Sequence, residues 1–458
     1  MAESYPAEVQ RARVAVVGAG PAGIYTVLAL LDSETPVSVD VFDRLPTPYG
    51  LVRYGVAPDQ VKMKSVIRVL QTPFTGSDVA FFGNIEVGSD ITHDELAERY
   101  HAVVYSTGSP HDRSLGIPGQ DLGGCHGAAS FVNWYSGHPD AAGAEFNLKH
   151  SDVAVVGAGN VALDVARVLA KSATEMAGTD VPDEVLRRLR DSQITDVHIL
   201  IRRGPAQVKF TPPELRLIGR LANADVLVHH HGFATDAAED LPEDKRARKN
   251  VELLREWAAR EPEGKPRRVH LRFFRSPVEV LGQDSVEGLM LERNHFTAEG
   301  KLEGTGEHEE LPTGLVLSAV GYQGIPLPGL PFDIASGTVP HNHGRVVDGD
   351  EPVSGVYVAG WAKRGPTGVI GTNKSDGAET AASVLADVPL LPAPAKPTRA
   401  DVRELLAGRG VRVVDWQGWS RLDAHEAERG ACQGRDRAKL AELEAMLEVI
   451  TGDAASEH

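Results

Sequence analysis

Two glycine fingerprints, each set between an apolar run and a helix-forming stretch, constrain this chain more than any other feature. The first is Gly18-Ala-Gly20-Pro-Ala-Gly23, preceded by Val-Ala-Val-Val at 14–17 and followed by the apolar residues 24–31. A continuous apolar run of this kind suits a strand buried on both faces. In G-x-G-x-x-G the first glycine permits the tight turn and the second lets backbone approach a pyrophosphate. The third lets helix pack on strand. The helix that begins there turns free N–H groups and a positive dipole end toward phosphate. A second strand is predicted over 37–42 and ends at Asp43, at the ~20-residue distance of a carboxylate that binds ribose hydroxyls. An acid at that place suits an unphosphorylated adenosine ribose, as in FAD or NAD.

The second fingerprint repeats these physics in Gly157-Ala-Gly159-Asn160-Val161-Ala162, between a strand at 152–156 and a helix from 160. Its next strand, 197–201, ends in Arg202-Arg203-Gly204 where the first ended in an acid. Two guanidiniums there suit a 2′-phosphate, through bidentate, charge-assisted hydrogen bonds. The segment between fingerprint and arginines exceeds the simple unit, and a helix over 183–191 accounts for the excess. Two fingerprints need two sheets, and 458 residues exceed one ordinary core. The fold class is therefore α/β, with two Rossmann-like dinucleotide-binding domains. Val-Tyr-Ser-Thr-Gly at 104–108 is echoed by Val-Leu-Ser-Ala-Val-Gly ending at Gly321. These echoes read as the crossings by which one nucleotide domain is inserted into the other. The expected division is 1–110 with 326–458, which carries a helical C-terminal extension, around an inserted domain at 111–325.

The rest of the chain is read in order. Residues 45–59, rich in proline, glycine, apolar and aromatic side chains, cannot be one long helix and are expected to be buried against a ligand. A helix is predicted over 61–70 and strands over 80–87 and 101–105. A charged helix over 242–260 carries Lys245, Arg246, Arg248 and Lys249. Further strands are predicted at 269–274, 278–281, 286–293 and 315–319. From Gly355 to Asp376 a strand feeds a glycine-rich turn and then a helix of small residues. Such a turn brings backbone N–H groups and a positive helix end against a flavin ring. A proline-rich linker at 389–397 precedes mostly helical, amphipathic chain, with Asp415–Trp419 between two helices and assigned to packing.

Composition narrows the classes further. The two cysteines, Cys125 and Cys432, form neither a C-x-x-C nor a cluster-binding set, which argues for a reducing cytoplasm and against a redox dithiol or a chain-borne iron–sulfur cluster. A net charge of −17 disfavours nucleic acid and anionic membrane as partners. No apolar run approaches the ~20 residues of a membrane span, and residues 1–10 lack the apolar core of a signal. The run His229-His230-His231 has no acidic or cysteine partner at ligand spacing and is read as a solvated strand end, with no metal.

Beyond the fingerprints, the chain resembles the adrenodoxin reductase-type ferredoxin–NADP+ reductases, including their mycobacterial branch, over nearly its whole length. The resemblance is carried by V-V-G-A-G-P-A-G, L-P-T-P-Y-G-L-V-R-Y-G-V-A-P-D, F-F-G-N, G-N-V-A-L-D-V-A-R, R-R-G-P with F-T-x-x-E-L-R, and G-W-A-K-R-G-P-T-G-V-I-G-T-N-K. The second and the last are far more specific than a glycine fingerprint. The resemblance implies that Ala22, Asp43, Leu51 and Val87 contact FAD, and that Trp361, Gly368, Val369 and Ile370 lie beside its isoalloxazine. It places NADP(H) against Asn160, Val161, Arg202, Arg203 and Glu214, with Arg113 and Gly368 near its other parts. It implies NADPH as donor, FAD as the resident carrier and a small ferredoxin-type iron–sulfur protein as acceptor, docked on basic residues in the Lys245–Lys249 region. Two positions depart from the family. Gln60 follows V-A-P-D where a histidine is common, and Leu217 stands where many members have glutamate, so the pair given a catalytic role in the family is altered here at both positions. A flavin-dependent monooxygenase, another NADPH diaphorase and a flavin-binding scaffold with little turnover stand as alternatives.

Overall fold

The computed structural model describes residues 11–229 and 242–452, so residues 1–10, His230 and His231 lie outside it. The first fingerprint strand, Ala12–Val17, is buried along its whole length. Val14 and Val16 point into a cluster with Ile24, Val27 and Leu30 of the following helix, and Ala15 and Val17 into a second cluster with Phe42 and Phe82. Burial on both faces is why residues 14–17 are all apolar, and Arg13 at the strand start is buried only in a pair with Asp40 (2.9 Å). Each such valine contributes roughly 1.5–3 kcal/mol of transfer free energy.

Ala12–Val17 lies inside a seven-stranded sheet. Val37–Asp43 and then Val79–Gly83 extend it on one side, and Ala102–Tyr105 and Glu351–Val358 on the other, all parallel. Arg345–Asp348 and His341–Asn342 add an antiparallel edge. The second sheet has six parallel strands in the order Cys125–Gly127, Leu315–Ser318, Asp152–Val156, Asp196–Ile201, Arg267–Phe273 and Ala224–His229. One of its faces is covered by the antiparallel strands Arg275–Gly282, Val286–Phe296 and Leu302–Pro312, whose Val280, Val286, Leu289, Leu291 and Leu311 meet Ala154, Val156, Leu200 and Val316. Where the chain passes between the sheets, His111–Asp112 pairs with Tyr322–Gln323. Among the described residues no helix is long and apolar enough to cross a membrane.

Three local expectations are corrected. The helix over 61–70 is two short turns, Val61–Lys64 and Ile67–Leu70. Between them the Ser65 hydroxyl donates to the Lys62 carbonyl (2.7 Å), and the backbone bonds shorten to i→i+3. The strand over 80–87 ends at Gly83, because Asn84 turns into the left-handed region at φ 60°. Asp415 caps the helix Trp416–Cys432 by accepting from the Gly418 N–H (2.8 Å), so Trp416 and Trp419 lie inside it. Trp416 stacks on Phe74 at 4.4 Å and Trp419 packs against Tyr49 at 5.9 Å, which ties the C-terminal helices to the first sheet.

Candidate functional site

The first fingerprint is shaped by backbone crowding. Gly18 has φ +106°, and a Cβ there would lie 2.6 Å from the Ser106 carbonyl oxygen. A Cβ on Gly23 would lie 2.1 Å from the Gly18 oxygen. Residues 45–59 fold back onto this turn. The Tyr49 N–H donates to the Ala19 carbonyl (2.8 Å), and a Cβ on Gly50 would lie 3.0 Å from the Gly20 Cα. Tyr49 itself sits at φ 82°, a costly conformation for a bulky side chain that the surrounding contacts impose. Asp43 closes the turn, accepting from the N–H groups of Ala19 (2.7 Å) and Leu45 (2.9 Å). Burial raises its carboxyl above the ordinary range, and these two donors oppose that rise.

The glycine-rich segment after Glu351–Val358 arrives at the same place. Gly360 has φ +72°, and a Cβ there would lie 2.4 Å from the Ala22 side chain. Gly377, in the helix Thr372–Asp387, approaches the Thr26 backbone so closely that a Cβ would lie 2.8 Å from its nitrogen. The two helices therefore pack backbone to backbone. Asp376 accepts from the Gly360 N–H and pairs with buried Lys363 (3.0 Å). Gly368 needs φ +86°, and the Val369 N–H beside it donates to the Thr372 hydroxyl (3.1 Å). Trp361 packs on Tyr322 at 5.5 Å. Ile370 packs against the core of the first sheet, and Val87 against the cluster on its other face. Leu51 is 41% exposed and Val369 64%, so two large apolar side chains stand free near turns that exclude any Cβ. Such a cradle fits a flat, largely apolar ring joined to a pyrophosphate.

The second fingerprint is built alike. A Cβ on Gly157 would lie 2.5 Å from the Ala319 carbonyl oxygen, just as Gly18 is crowded by Ser106. Gly159 caps the helix Asn160–Ala170, and Val161 is half-buried in its first turn. The Asn160 side-chain oxygen accepts from the Thr211 N–H (2.9 Å), and the Thr211 hydroxyl donates to Glu214. Burial raises the Glu214 carboxyl. Arg202 and Arg203 are exposed at the strand end, and neither has an acidic partner among the described residues. Arg113 lies at the crossing between sheets, where its Nε donates to the Tyr322 carbonyl (3.1 Å).

A charged seam joins the two sites. Asp59 is gripped by Arg167 (2.7 and 2.8 Å) and Lys171 (2.7 Å). Burial alone would raise its carboxyl, but those cations outweigh burial and hold it below the ordinary range. The Gln60 amide donates to Asp164 (3.0 Å), which also accepts from Arg167 (2.6 Å). Burial raises the Asp164 carboxyl beyond what these donors offset. Leu217 is half-buried in the helix Pro212–Ile218 and supplies no polar group to Gln60. Sequence reasoning missed Asp164 and Asp376 as partners; Asp164 lies inside the quoted G-N-V-A-L-D-V-A-R motif, and the contact that would have singled it out spans 104 residues.

This pairing sets a pH prediction. Native flavin reduction should vary little across neutrality, because glutamine does not titrate. Gln60→His would place an imidazole beside Asp164, whose charge favours the protonated ring while burial and Arg167 oppose it, leaving the ring to titrate around its ordinary value of about 6.5. The ring would be cationic below that value and neutral above it. Stopped-flow reduction by saturating NADPH should then show a sigmoid in the variant only, and a sigmoid near neutrality in the native protein would defeat this expectation.

Asp196, His198 and His270 are close enough to share a cation. Asp196 is nevertheless occupied by Arg268 (2.6 Å twice) and by His270 (2.7 Å). The His198 and His270 rings stack with planes 17° apart, so their in-plane lone pairs do not converge. His229 continues the stack, its Nε2 2.8 Å from the His270 Nδ1. The group is a hydrogen-bonded ladder.

Residues 12–204 match the family model described as pyridine nucleotide-disulphide oxidoreductase. The NADPH-ferredoxin reductase FprA of Mycobacterium tuberculosis is 40% identical over 455 residues, covering 96% of this chain and 99% of the relative. The mitochondrial NADPH:adrenodoxin oxidoreductase of Homo sapiens is 40% identical over 461 residues, covering 96% and 92%. The solved structure of Mycobacterium tuberculosis FprA in complex with NADPH superposes with a TM-score of 0.91, covering 97% of this chain and 100% of that one at 39% identity.

Proposed function

The chain belongs to the adrenodoxin reductase-type ferredoxin–NADP+ reductases, and from that premise we propose how its residues serve an NADPH-dependent FAD reductase that passes electrons singly to a ferredoxin-type iron–sulfur protein. The observation that carries the reading is the contrast between two like-built sites. One fingerprint closes on the carboxylate of Asp43, the other opens onto the exposed guanidiniums of Arg202 and Arg203, which have no acidic partner among the described residues. FAD, held at the first, supplies the conversion of a two-electron donor into one-electron steps. Gly18, Gly20, Ala22, Gly23, Asp43, Leu51 and Val87 hold its nucleotide part, and Trp361, Gly368, Val369 and Ile370 border its ring. Gly157, Gly159, Asn160, Val161, Arg202, Arg203 and Glu214 hold NADPH, with Arg113 at the crossing. Hydride transfer needs stacking in near-attack geometry, and no nucleophile or metal. The domain boundaries that serve this arrangement are 110/111 and 325/326.

Denaturing the purified protein should release FAD, identified by chromatography, and anaerobic NADPH should bleach the flavin band of the native protein. Release of FMN, or a band unmoved by NADPH, would refute the assignment.

The acceptor surface is the exposed start of the helix Lys245–Ala258. Lys245, Arg246, Arg248 and Lys249 crowd the positive end of that helix, where its dipole disfavours cations, and no acid lies in its first turn. Among the described residues, only Lys249 of these four has an acidic partner, Glu252 at 3.1 Å. An acidic partner would relieve this repulsion despite the net charge of −17. Reversing Lys245, Arg246 and Arg248 to glutamate should slow ferredoxin reduction about tenfold at low salt and flatten its salt dependence. Ferricyanide reduction should be unchanged. An unaltered salt dependence with ferredoxin would rule the patch out.

A further inference from the structure

The two arginines at the end of Asp196–Ile201 have exposed side chains, but their backbone is held from outside the nucleotide sheet. The Arg202 carbonyl accepts from the side-chain amide of Asn294 (2.9 Å), and the Arg203 carbonyl from the Phe274 N–H (3.3 Å). Asn294 is 6% exposed. Its amide also donates to the Ser276 hydroxyl (2.7 Å), and its own N–H donates to the Phe274 carbonyl (3.0 Å). Phe274 sits at φ 53°, an unfavourable conformation for an aromatic residue, and its ring closes on Gly204, where a Cβ would lie 2.7 Å away. The register of Val286–Phe296 with Leu302–Pro312 shifts between Glu292 and Asn294. Irregularities of this kind re-aim a side chain beside a functional site.

We infer that Asn294 is a positioning residue for coenzyme selectivity: its amide fixes the Arg202–Arg203 backbone so that both guanidiniums meet the 2′-phosphate together. The inference rests on the reading of Arg202 and Arg203 as the 2′-phosphate site. Asn294 touches neither substrate nor flavin in this scheme; it acts through the arginines. Without the amide the Arg202 carbonyl loses its partner, the loop gains freedom, and part of the binding free energy goes to ordering it. NADH, which lacks the phosphate, draws nothing from that order.

The test is steady-state reduction of ferricyanide by NADPH and by NADH in the holoenzyme, with flavin content and unfolding midpoint measured alongside. Asn294→Ala should raise KM for NADPH about three- to tenfold, the size of one lost hydrogen bond. It should leave KM for NADH and kcat at saturating NADPH unchanged. Asn294→Leu, of similar size but without donors, should act alike and stands in if the alanine variant loses flavin. The decisive arm places Asn294→Ala in an Arg202→Ala/Arg203→Ala background, where it should add nothing to the NADPH defect. A purely structural role would depress both coenzymes equally or add its effect in that background, and either result overturns the inference. If the double arginine variant itself keeps its NADPH preference, the reading of the arginines fails; if it loses the preference while both Asn294 variants keep it, only the role of Asn294 fails.

Discussion

Replacing Arg202 and Arg203 together by alanine is expected to weaken NADPH by about two to four orders of magnitude while leaving NADH within about twofold. Both side chains are exposed and free of acidic partners among the described residues, so their removal breaks no internal ion pair. Each charge-assisted hydrogen bond to a phosphate contributes about 1.5–3 kcal/mol, and a factor of ten in affinity is about 1.4 kcal/mol. Two such bonds exceed the effect of any other exposed substitution considered. Arg202→Ala alone should cost about tenfold or more. The measurement is the ratio of kcat/KM for the two coenzymes, with FAD content as a control. Parallel losses for NADPH and NADH would mean that the arginines shape the loop without meeting the 2′-phosphate.

The largest expected effect on stability lies in the helix Trp416–Cys432. Glu426 is fully buried and accepts from Arg53 (2.6 Å), Arg437 (3.1 Å) and the Leu440 N–H (3.0 Å). Glu426→Ala strands the Arg53 guanidinium, which is 5% exposed and lies over the Trp419 ring at 5.1 Å. Breaking a buried pair by removing one partner costs about 3–5 kcal/mol. The unfolding midpoint should fall by about 3–5 °C for a cooperative unit of this length. Because Arg53 belongs to the segment that folds onto the Gly18–Gly23 turn, FAD should dissociate more readily as well. Burial opposes the charge on Glu426, but Arg53 outweighs it and holds the carboxyl below its ordinary value. Its contribution is therefore present above about pH 4.3 and lost as pH falls through the lower folded value. A midpoint within about 1 °C of the native one at pH 7, an effect of about 1 kcal/mol or less, would show that the ion pair is replaceable by rearrangement or water.

The C-terminal helix Trp416–Cys432 and the loop after it also clamp the second sheet's domain. Buried Lys439 donates to the Arg53 carbonyl (2.8 Å) on one side and to the Ser136 carbonyl (3.1 Å) on the other, and pairs with Asp180 (3.1 Å). Arg429 and Arg435 both meet Asp183. The sequence marked this region only as amphipathic helix, because its polar residues find partners in both halves of the chain. Nothing local records those partners.

What the sequence by itself determined was whatever depends on short range. The fingerprint strands, the helices after them and the contrast between Asp43 and Arg202–Arg203 follow from glycine spacing and apolar runs, since a parallel strand buried on both faces admits little else. The inserted order of the chain was legible in two matching strand exits. Tertiary structure alone decided which side chain meets which. Gln60 turns to Asp164 and not to position 217, because the polar amide finds a half-buried carboxylate across the seam between sheets. The strand over Leu302–Pro312 escaped sequence reading, since its mostly exposed, charged residues show little apolar alternation and it is placed by pairing with Val286–Phe296. Asn294 reads as an ordinary polar residue in a strand; it becomes a support for Arg202 only through a contact 92 residues away. Periodicity reports which face of an element is buried, but a hydrogen bond between distant elements leaves no trace in the local pattern, because any polar residue on the right face would satisfy that pattern equally.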